Sequence, residues 1–169
     1  MTNFFPKTAF NTSNKKVFIV HGHDHVVLEQ LELILRRLEL EPYILKDTSG
    51  NGLTIIEILE KETCNDSTGF GIVLLTLDDI GYAISDGETK AQFRARQNVV
   101  LEMGMLIATL SRKNVAILRK EGIEIPSDAH GIKYIAFKEH VKEALPDLFD
   151  RLCEAGYNVD AKKLTKASR

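Results

Sequence analysis

Short runs of apolar, often β-branched residues alternate along the chain with longer segments in which apolar residues recur every three or four positions. The short runs predict strands, because buried strands of a parallel sheet are almost continuously apolar. They cover residues 17–20, 42–45, 71–76, 115–118 and 132–137. The longer segments predict amphipathic helices, since residues three and four apart share one helix face. These helices cover residues 25–39, a stretch beginning at Thr54, 92–111 and 139–155.

The order of these elements predicts the fold class. Strand and helix alternate, and the strands show no polar alternation, so helices are expected to cover both faces of the sheet. We therefore predict an α/β domain of flavodoxin type, with a five-stranded parallel sheet and helices on both faces. Ligands of such sheets bind outside the carboxyl ends of the strands. The candidate functional residues are thus those that directly follow a strand or begin a helix.

Local signals refine the boundaries of these elements. Thr54 and Glu57 have the spacing of a capping box at a helix start. Pro146 predicts a break or kink in the last helix, and Gly156 is expected to end it. Residues 78–91 are acidic and contain glycine, which predicts a loop. The chain is divided into an N-terminal arm (1–15), one domain (16–157) and a basic C-terminal tail (158–169).

Composition excludes several classes of protein. The 169 residues include 22 Lys and Arg against 24 Asp and Glu, a net charge of −2 that predicts no direct binding to nucleic acid or to anionic membranes. No apolar run approaches the roughly 20 residues of a membrane span, and the first residues lack the apolar stretch of a secretion signal. Cys64 and Cys153 form no C-x-x-C motif and lack an obvious His partner. We expect a cytoplasmic protein with reduced, inert thiols.

Glu102 is the most informative single position. It is the only ionisable residue between Asn98 and Leu110, and its helical neighbours are mostly apolar. A carboxylate on such a face is costly to bury unless it is paired. Glu102 is therefore either a functional carboxylate or a structural residue, paired with Arg94 or Arg96 or lying at the helix edge.

A second candidate is the sequence His21-Gly22-His23-Asp24, which follows the first strand. Gly22 would allow a ligand to approach the backbone closely. His-x-His needs further ligands to hold a metal, and no Cys or His cluster elsewhere supplies them, so we predict no metal site. Asp24 is expected to cap the following helix.

Two further segments contain residue types that bind nucleotides: the start of the helix predicted over 92–111 and the loop 46–53. Arg94 and Arg96 either bind phosphate or carboxylate near a helix start or form ordinary ion pairs. The loop 46–53 contains two glycines but matches neither a P-loop nor a dinucleotide fingerprint. No G-x-S-x-G elbow is present. Hydrolysis of ATP by a P-loop and serine-hydrolase chemistry are therefore poorly supported.

Taken together, these segments resemble a known family. VFIVHGHD, GLTIIEILE, VLLTLDDIG, RARQNVVLEMG and IPSDAHGIKYIAF occur in this order. They are similar to the predicted nucleotide-binding proteins with a Toll/interleukin-1 receptor (TIR)-like domain, the TIR type of bacterial CBASS and Pycsar anti-phage effectors. The resemblance covers residues 16–155, and RARQNVVLEMG and VFIVHGHD are its most specific parts.

The resemblance implies a flavodoxin-like TIR fold and hydrolysis of NAD+ at the nicotinamide–ribose bond. NAD+ is then a substrate, and no prosthetic group is expected. The family's catalytic glutamate falls on Glu102, and the loop from Lys46 to Leu53 corresponds to the mobile loop that covers the pocket and mediates TIR–TIR stacking. The implied substrate-binding residues are His21, Gly22, His23, Asp24, Asp47, Leu53, Thr54, Thr76, Asp78, Arg94, Arg96 and Asn98. Homo-oligomers and a sensor domain or partner chain are implied as well.

Two alternatives to an NAD+ glycohydrolase remain open at this point. One is an enzyme like nucleoside deoxyribosyltransferases, which also combine a flavodoxin-like fold with a catalytic glutamate. The other is a TIR module that binds nucleotides or acts as a scaffold without turnover. If the protein is an enzyme, Glu102 either stabilises an oxocarbenium-like transition state or forms a covalent ribosyl ester.

Overall fold

We describe the fold from a computed structural model, for residues 15–45, 57–58, 61, 69–126 and 132–167. The strands are β1 (Lys16–Val20), β2 (Glu41–Ile44), β3 (Phe70–Leu75), β4 (Asp79–Gly81), β5 (Gln92–Arg94), β6 (Val115–Lys120), β7 (Ile123–Glu124) and β8 (Tyr134–Phe137). The α-helices are α1 (His25–Arg37), α2 (Gln97–Leu110), α3 (Leu145–Glu154) and α4 (Leu164–Ala167). Short 3₁₀ turns span Glu88–Lys90, Arg112–Asn114, Val141–Ala144 and Ala161–Lys163. Glu57, Ile58 and Lys61 are helical as well, within the stretch predicted to begin at Thr54.

The main sheet has five strands in the order β2-β1-β3-β6-β8, and every pair is parallel. This is the strand order of flavodoxin-like folds, in which the chain reverses direction across the sheet between β1 and β3. The carboxyl ends of all five strands therefore lie at one edge. The predicted α/β class with a five-stranded parallel sheet is confirmed.

Helices cover both faces of this sheet, as predicted. Alternate residues of one strand point to opposite faces, so Ile19 packs with α1 and α3 while its neighbours Phe18 and Val20 pack with α2. The central strand β3 is buried along its whole length. The continuous apolar runs in the sequence follow directly from this double coverage.

Pro146 and Gly156 mark the two ends of α3. The residue Pro146, for which a break was predicted, lies in the first turn of α3, where its missing N–H costs nothing. The turn before it is capped by His140 and Glu143, so the predicted helix 139–155 begins later than expected. Gly156 has φ of 86° and follows α3, which confirms it as the residue that ends the helix.

Residues of the predicted basic tail pack against the core. Ala167 is 2% exposed, and Leu164 contacts the same cluster as α1 and α3. The hydroxyl of Tyr157 donates to the carbonyl of Lys16 at 2.8 Å, and burial raises the pKa of Tyr157 to about 12. This phenol therefore stays protonated and ties the segment after α3 to the start of β1.

A second, small sheet corrects two predictions. Residues 78–91 were expected to form a loop and 92–111 a helix, but β4, β5 and β7 form a three-stranded sheet in the order β4-β5-β7. Ile80 pairs with Phe93 in antiparallel register, and Phe93 pairs with Ile123 in parallel register. The helix α2 consequently begins at Gln97, because residues 92–94 are held extended by partners on both sides.

Candidate functional site

A cavity of about 270 Å³ lies at the carboxyl edge of the main sheet, where β1 and β2 end and α2 begins. It is lined by His21, Gly22, His23, His25, Leu45, Arg96, Asn98, Val99 and Glu102. Six of the predicted site residues thus come together: His21, Gly22, His23, Arg96, Asn98 and Glu102. The position agrees with the general rule that ligands of doubly wound sheets bind outside the carboxyl ends of the strands.

Glu102 reaches this cavity from the second turn of α2. Asn98 and Val99 precede it by four and three residues, so all three occupy the face of α2 that borders the cavity. Glu102 is half-buried, whereas Val99 and Met103 are buried in the core. The apolar helix therefore serves as a rigid support that presents one carboxylate to a partly open cavity.

The amino end of α2 adds a second chemical feature. Arg96 is the N-cap residue, and within the described residues its side chain makes no capping hydrogen bond to the helix. The first-turn amides of an α-helix have no intrahelical partner, and the helix dipole favours an anion beside them. Arg96 thus brings a guanidinium to the cavity. It does so at the amino end of α2, which itself attracts negative charge.

Arg96 is also in contact with His23. Its Nη1 atom hydrogen-bonds the Nε2 atom of the His23 ring. A guanidinium can only donate, so Nε2 accepts and the ring proton of neutral His23 is assigned to Nδ1. The contact joins the segment after β1 to the N-cap of α2 across the cavity rim.

Asp24 is held outside the cavity lining by two contacts. Its Oδ1 atom accepts the N–H of Val27 at 3.0 Å, which confirms the predicted helix cap. Its Oδ2 atom lies 3.3 Å from Nζ of Lys120, at the carboxyl end of β6. Asp24 therefore stabilises the start of α1, and both of its carboxylate oxygens already have partners.

Thr76 and Asp78 follow β3 and interact with each other. Thr76 is 1% exposed, and its hydroxyl donates to Asp78 Oδ1 at 3.0 Å. The same carboxylate oxygen accepts the backbone N–H of His23 at 3.0 Å. Neither Thr76 nor Asp78 lines the cavity of Glu102.

Arg94 does not join Arg96. Arg94 is the last residue of β5 and is held in the small sheet, whereas Arg96 is the N-cap residue of α2. Arg94 forms an ion pair with Glu124 of β7 and lies against Gly81 of β4. It lines a second cavity of about 410 Å³, together with Ala95, Gln97, Val100, Glu124, Ile125 and Pro126. In the structure, Arg94 therefore lines a different cavity from Glu102, and its predicted contact with substrate stays a prediction.

Some predicted positions lie outside the described residues, and some cavity residues were missed. Asp47, Leu53 and Thr54 belong to the first group, as does the whole loop 46–53. His25 and Leu45 belong to the second group. Leu45 directly follows β2 and His25 begins α1, so the rule that places ligands at strand ends and helix starts could have identified them.

Neither a metal site nor a membrane span is found in the part of the chain that the structure describes. Within the ranges given above, no group of three or more His, Cys, Asp or Glu side chains is arranged to hold a metal ion. Of the described helices, none combines the length and hydrophobicity that a transmembrane span requires.

The architecture and the position of the cavity define a flavodoxin-like α/β domain of the TIR class. The chain belongs to the family of CAP12/Pycsar effector TIR domains, because the model of that family matches residues 16–139. The match includes every described residue that lines the cavity of Glu102.

Two curated relatives support this assignment. The chain is 43% identical over 132 residues to the uncharacterized protein YuaY of Escherichia coli (strain K12), covering 78% of this chain and 43% of YuaY. It is 38% identical over 141 residues to protein tirC of Dictyostelium discoideum, covering 79% of this chain and 69% of tirC. The chain thus spans less than half of one relative and about two thirds of the other.

Proposed function

We propose that the domain is an NAD+ glycohydrolase that releases nicotinamide from NAD+ with Glu102 as its catalytic carboxylate. The observation that carries this proposal is the half-buried Glu102 in a cavity that also contains Arg96 and the segment after β1. Such a cavity combines one anionic group for a developing cation with one cationic group for phosphate. Membership of a TIR effector family supports the same activity.

The reaction follows from the charges of substrate and site. Nicotinamide is cationic while bound to ribose and leaves as a neutral ring, so little acid catalysis is needed. Positive charge then develops on the ribose, as in glycoside hydrolysis, and the carboxylate of Glu102 would stabilise it. Water adds to the ribose carbon, and the products are nicotinamide, ADP-ribose and one proton.

The size and polarity of the cavity suggest how the substrate lies. A volume of about 270 Å³ is just below the usual range of small-molecule sites. We assign the nicotinamide riboside half to this cavity. The pyrophosphate would then lie towards Arg96 and the first-turn amides of α2, where a helix N-terminus favours an anion.

The proposal includes a biological role. TIR domains of this effector family imply activation by self-association or by a sensor, and we propose an anti-phage effector whose turnover rises when copies of the domain cluster. A nucleotide-binding module without turnover is the second candidate, since a cavity that holds one cationic and one anionic side chain can also bind a nucleotide without cleaving it.

The test is loss of NAD+, with products identified by mass, at high protein concentration. Glu102→Gln keeps the size of the side chain and removes its charge. We expect turnover to fall by a factor of about 100 or more, the usual size of a lost electrostatic contribution to the transition state. Glu124→Gln is the matched control, since Glu124 lies in the other cavity, and it should stay within about 3-fold of wild type.

The outcomes separate the candidate functions. Nicotinamide release by wild type but not by Glu102→Gln supports the glycohydrolase. Base exchange on a deoxynucleoside instead supports the transferase-like alternative. Absence of turnover, even after the domain is clustered artificially, supports the binding module and contradicts the proposal.

A further inference from the structure

The carboxylate of Asp78 lies outside the lining of the cavity of Glu102 and contacts the backbone of the segment after β1. Its Oδ1 atom accepts from His23 N at 3.0 Å and from the buried hydroxyl of Thr76 at 3.0 Å, and its Oδ2 atom lies 3.1 Å from the same hydroxyl. The backbone N–H of Asp78 also donates to the carbonyls of Thr76 at 2.9 Å and Arg94 at 3.2 Å. One residue thus contacts the segments that follow β1 and β3 and the last residue of β5.

Gly22 is shaped to this carboxylate. A Cβ atom placed on Gly22 would lie 1.8 Å from Asp78 Oδ2 and 2.6 Å from Asp78 Cγ. Contacts this short do not occur, so any other residue at position 22 would push the carboxylate or the loop away. The close packing of Gly22 on Asp78 therefore fixes how far the loop sits from the sheet.

The contact continues from the loop to the cavity rim. Asp78 holds the backbone N–H of His23, and the ring of His23 accepts from the guanidinium of Arg96. His23 and Arg96 both line the cavity of Glu102, whereas Asp78 does not. A displacement of the His23 backbone would thus move the ring that orients Arg96.

We propose that Asp78 is a positioning residue: its carboxylate holds the Gly22–His23 backbone and, through the His23 ring, sets the Arg96 guanidinium at the rim of the cavity. This role replaces the substrate contact expected for Asp78 from the family resemblance, and its kinetic part rests on the proposed NAD+ glycohydrolase activity. Because Asp78 acts on the binding of substrate and leaves Glu102 in place, its loss affects KM more than kcat.

The test compares Asp78→Ala and Asp78→Asn with the control Asp79→Ala. Asp79 is the next residue along the chain and is exposed on β4. We expect Asp78→Ala to raise KM for NAD+ by about 10-fold with kcat within about 3-fold, since lost hydrogen bonds to a charged group typically cost that much. Asp78→Asn keeps one acceptor oxygen and should raise KM by about 3-fold. Asp79→Ala should leave KM unchanged.

A second readout is independent of activity. Hydrogen exchange of the His23 amide in the ligand-free protein should be about 10-fold faster in Asp78→Ala, because its acceptor is gone. An unchanged KM in folded Asp78→Ala, or an unchanged His23 exchange rate, overturns the positioning role. A merely structural residue would lower the melting temperature and the active fraction without changing KM.

Two outcomes need a separate readout: an Asp78→Ala variant that does not fold, and a wild type that cleaves no NAD+. If Asp78→Ala does not fold, Thr76→Val decides, since it keeps the buried volume but removes one donor from Asp78 and is expected to raise both KM and His23 exchange by about 3-fold. No change in either quantity overturns the proposal. If wild type cleaves no NAD+, the proposed function fails, and His23 exchange alone confirms or overturns the role of Asp78.

Discussion

Two cavities lie on either side of the amino terminus of α2, and each contains an arginine from the segment before the helix. The smaller one contains Arg96 and Glu102, and the larger one contains Arg94 and Glu124. In the larger cavity the arginine is paired directly with the carboxylate across the small sheet. In the smaller one Arg96 hydrogen-bonds the ring of His23.

This difference in charge pairing says more about which cavity binds a ligand than the difference in volume does. An arginine that is already paired with a carboxylate has most of its charge compensated, whereas an arginine held by a neutral acceptor keeps its charge for a ligand. The position of the smaller cavity at the ends of β1 and β2 also follows the topological rule for doubly wound sheets. Charge pairing and strand ends therefore identify the candidate site, although the other cavity is larger.

Replacing each arginine by alanine tests this comparison, and the change in KM expected for Arg96 is the largest effect among these predictions. Arg96→Ala should raise KM for NAD+ by about 10-fold or more, because a charged hydrogen-bond donor to phosphate is lost. Arg94→Ala should change KM by less than about 3-fold, since its ion pair is largely exposed. Steady-state kinetics on both variants measure the difference. Equal effects from the two substitutions would show that the larger cavity also binds substrate.

The pH dependence of stability must be separated from that of the site. Burial and the nearby Lys142 lower the pKa of His140, whose Nδ1 atom accepts from Lys142 N at 3.0 Å. The unfolded chain therefore binds the proton more readily. The stabilising cap is fully present above the ordinary pKa of 6.5 and is lost as pH falls through the lower folded value.

His140→Asn measures this contribution, because Asn is also a good N-cap and does not titrate. Urea unfolding at pH 7.5 and pH 5 should show wild type losing up to about 1 kcal/mol more than the variant, a value reduced by solvent screening. Activity per folded molecule should be the same for both proteins at each pH. A loss of equal size in the variant would mean that another group controls acid stability.

The smallest expected effect concerns the helix that separates the two cavities. Gly104 lies inside α2 and has open space where a Cβ would be. Gly104→Ala should raise the free energy of unfolding by about 0.5–1 kcal/mol, since alanine loses less backbone entropy in a helix. Gly122→Ala is the contrasting control, because Gly122 has φ of 85° and the same change there is strained. Thermal unfolding compares them, and a destabilised Gly104→Ala would contradict the assignment of open space.

The main sheet could be predicted from the sequence because double coverage leaves a simple signal. Continuously apolar strands such as β3 can only be buried on both faces, and the single ionisable residue on apolar α2 identifies Glu102. Asp24 was predictable for a similar reason, since N-caps depend on a few neighbouring residues.

The small sheet could not be predicted in the same way. Its strands are two or three residues long, and β5 is held by partners from distant parts of the chain, with Arg94 and Glu124 separated by 30 positions. The apolar spacing of α2 also continues back through Ala95, which mimics a longer helix. The separation of Arg94 from Arg96 and the position of Asp78 outside the cavity lining both depend on this tertiary pairing, so local patterns do not contain them.

The hydrogen bond from Tyr157 to Lys16 has a consequence for how the domain connects to its neighbours. It holds the segment after α3 beside the amino end of β1, and the chain that follows stays against the core, where Lys163 forms an ion pair with Glu39 just after α1. The edge that carries the cavity of Glu102 lies at the other end of that strand, roughly 16 Å away for five residues. A tether joined at the amino end of β1 would therefore attach at the edge of the sheet opposite the cavity of Glu102.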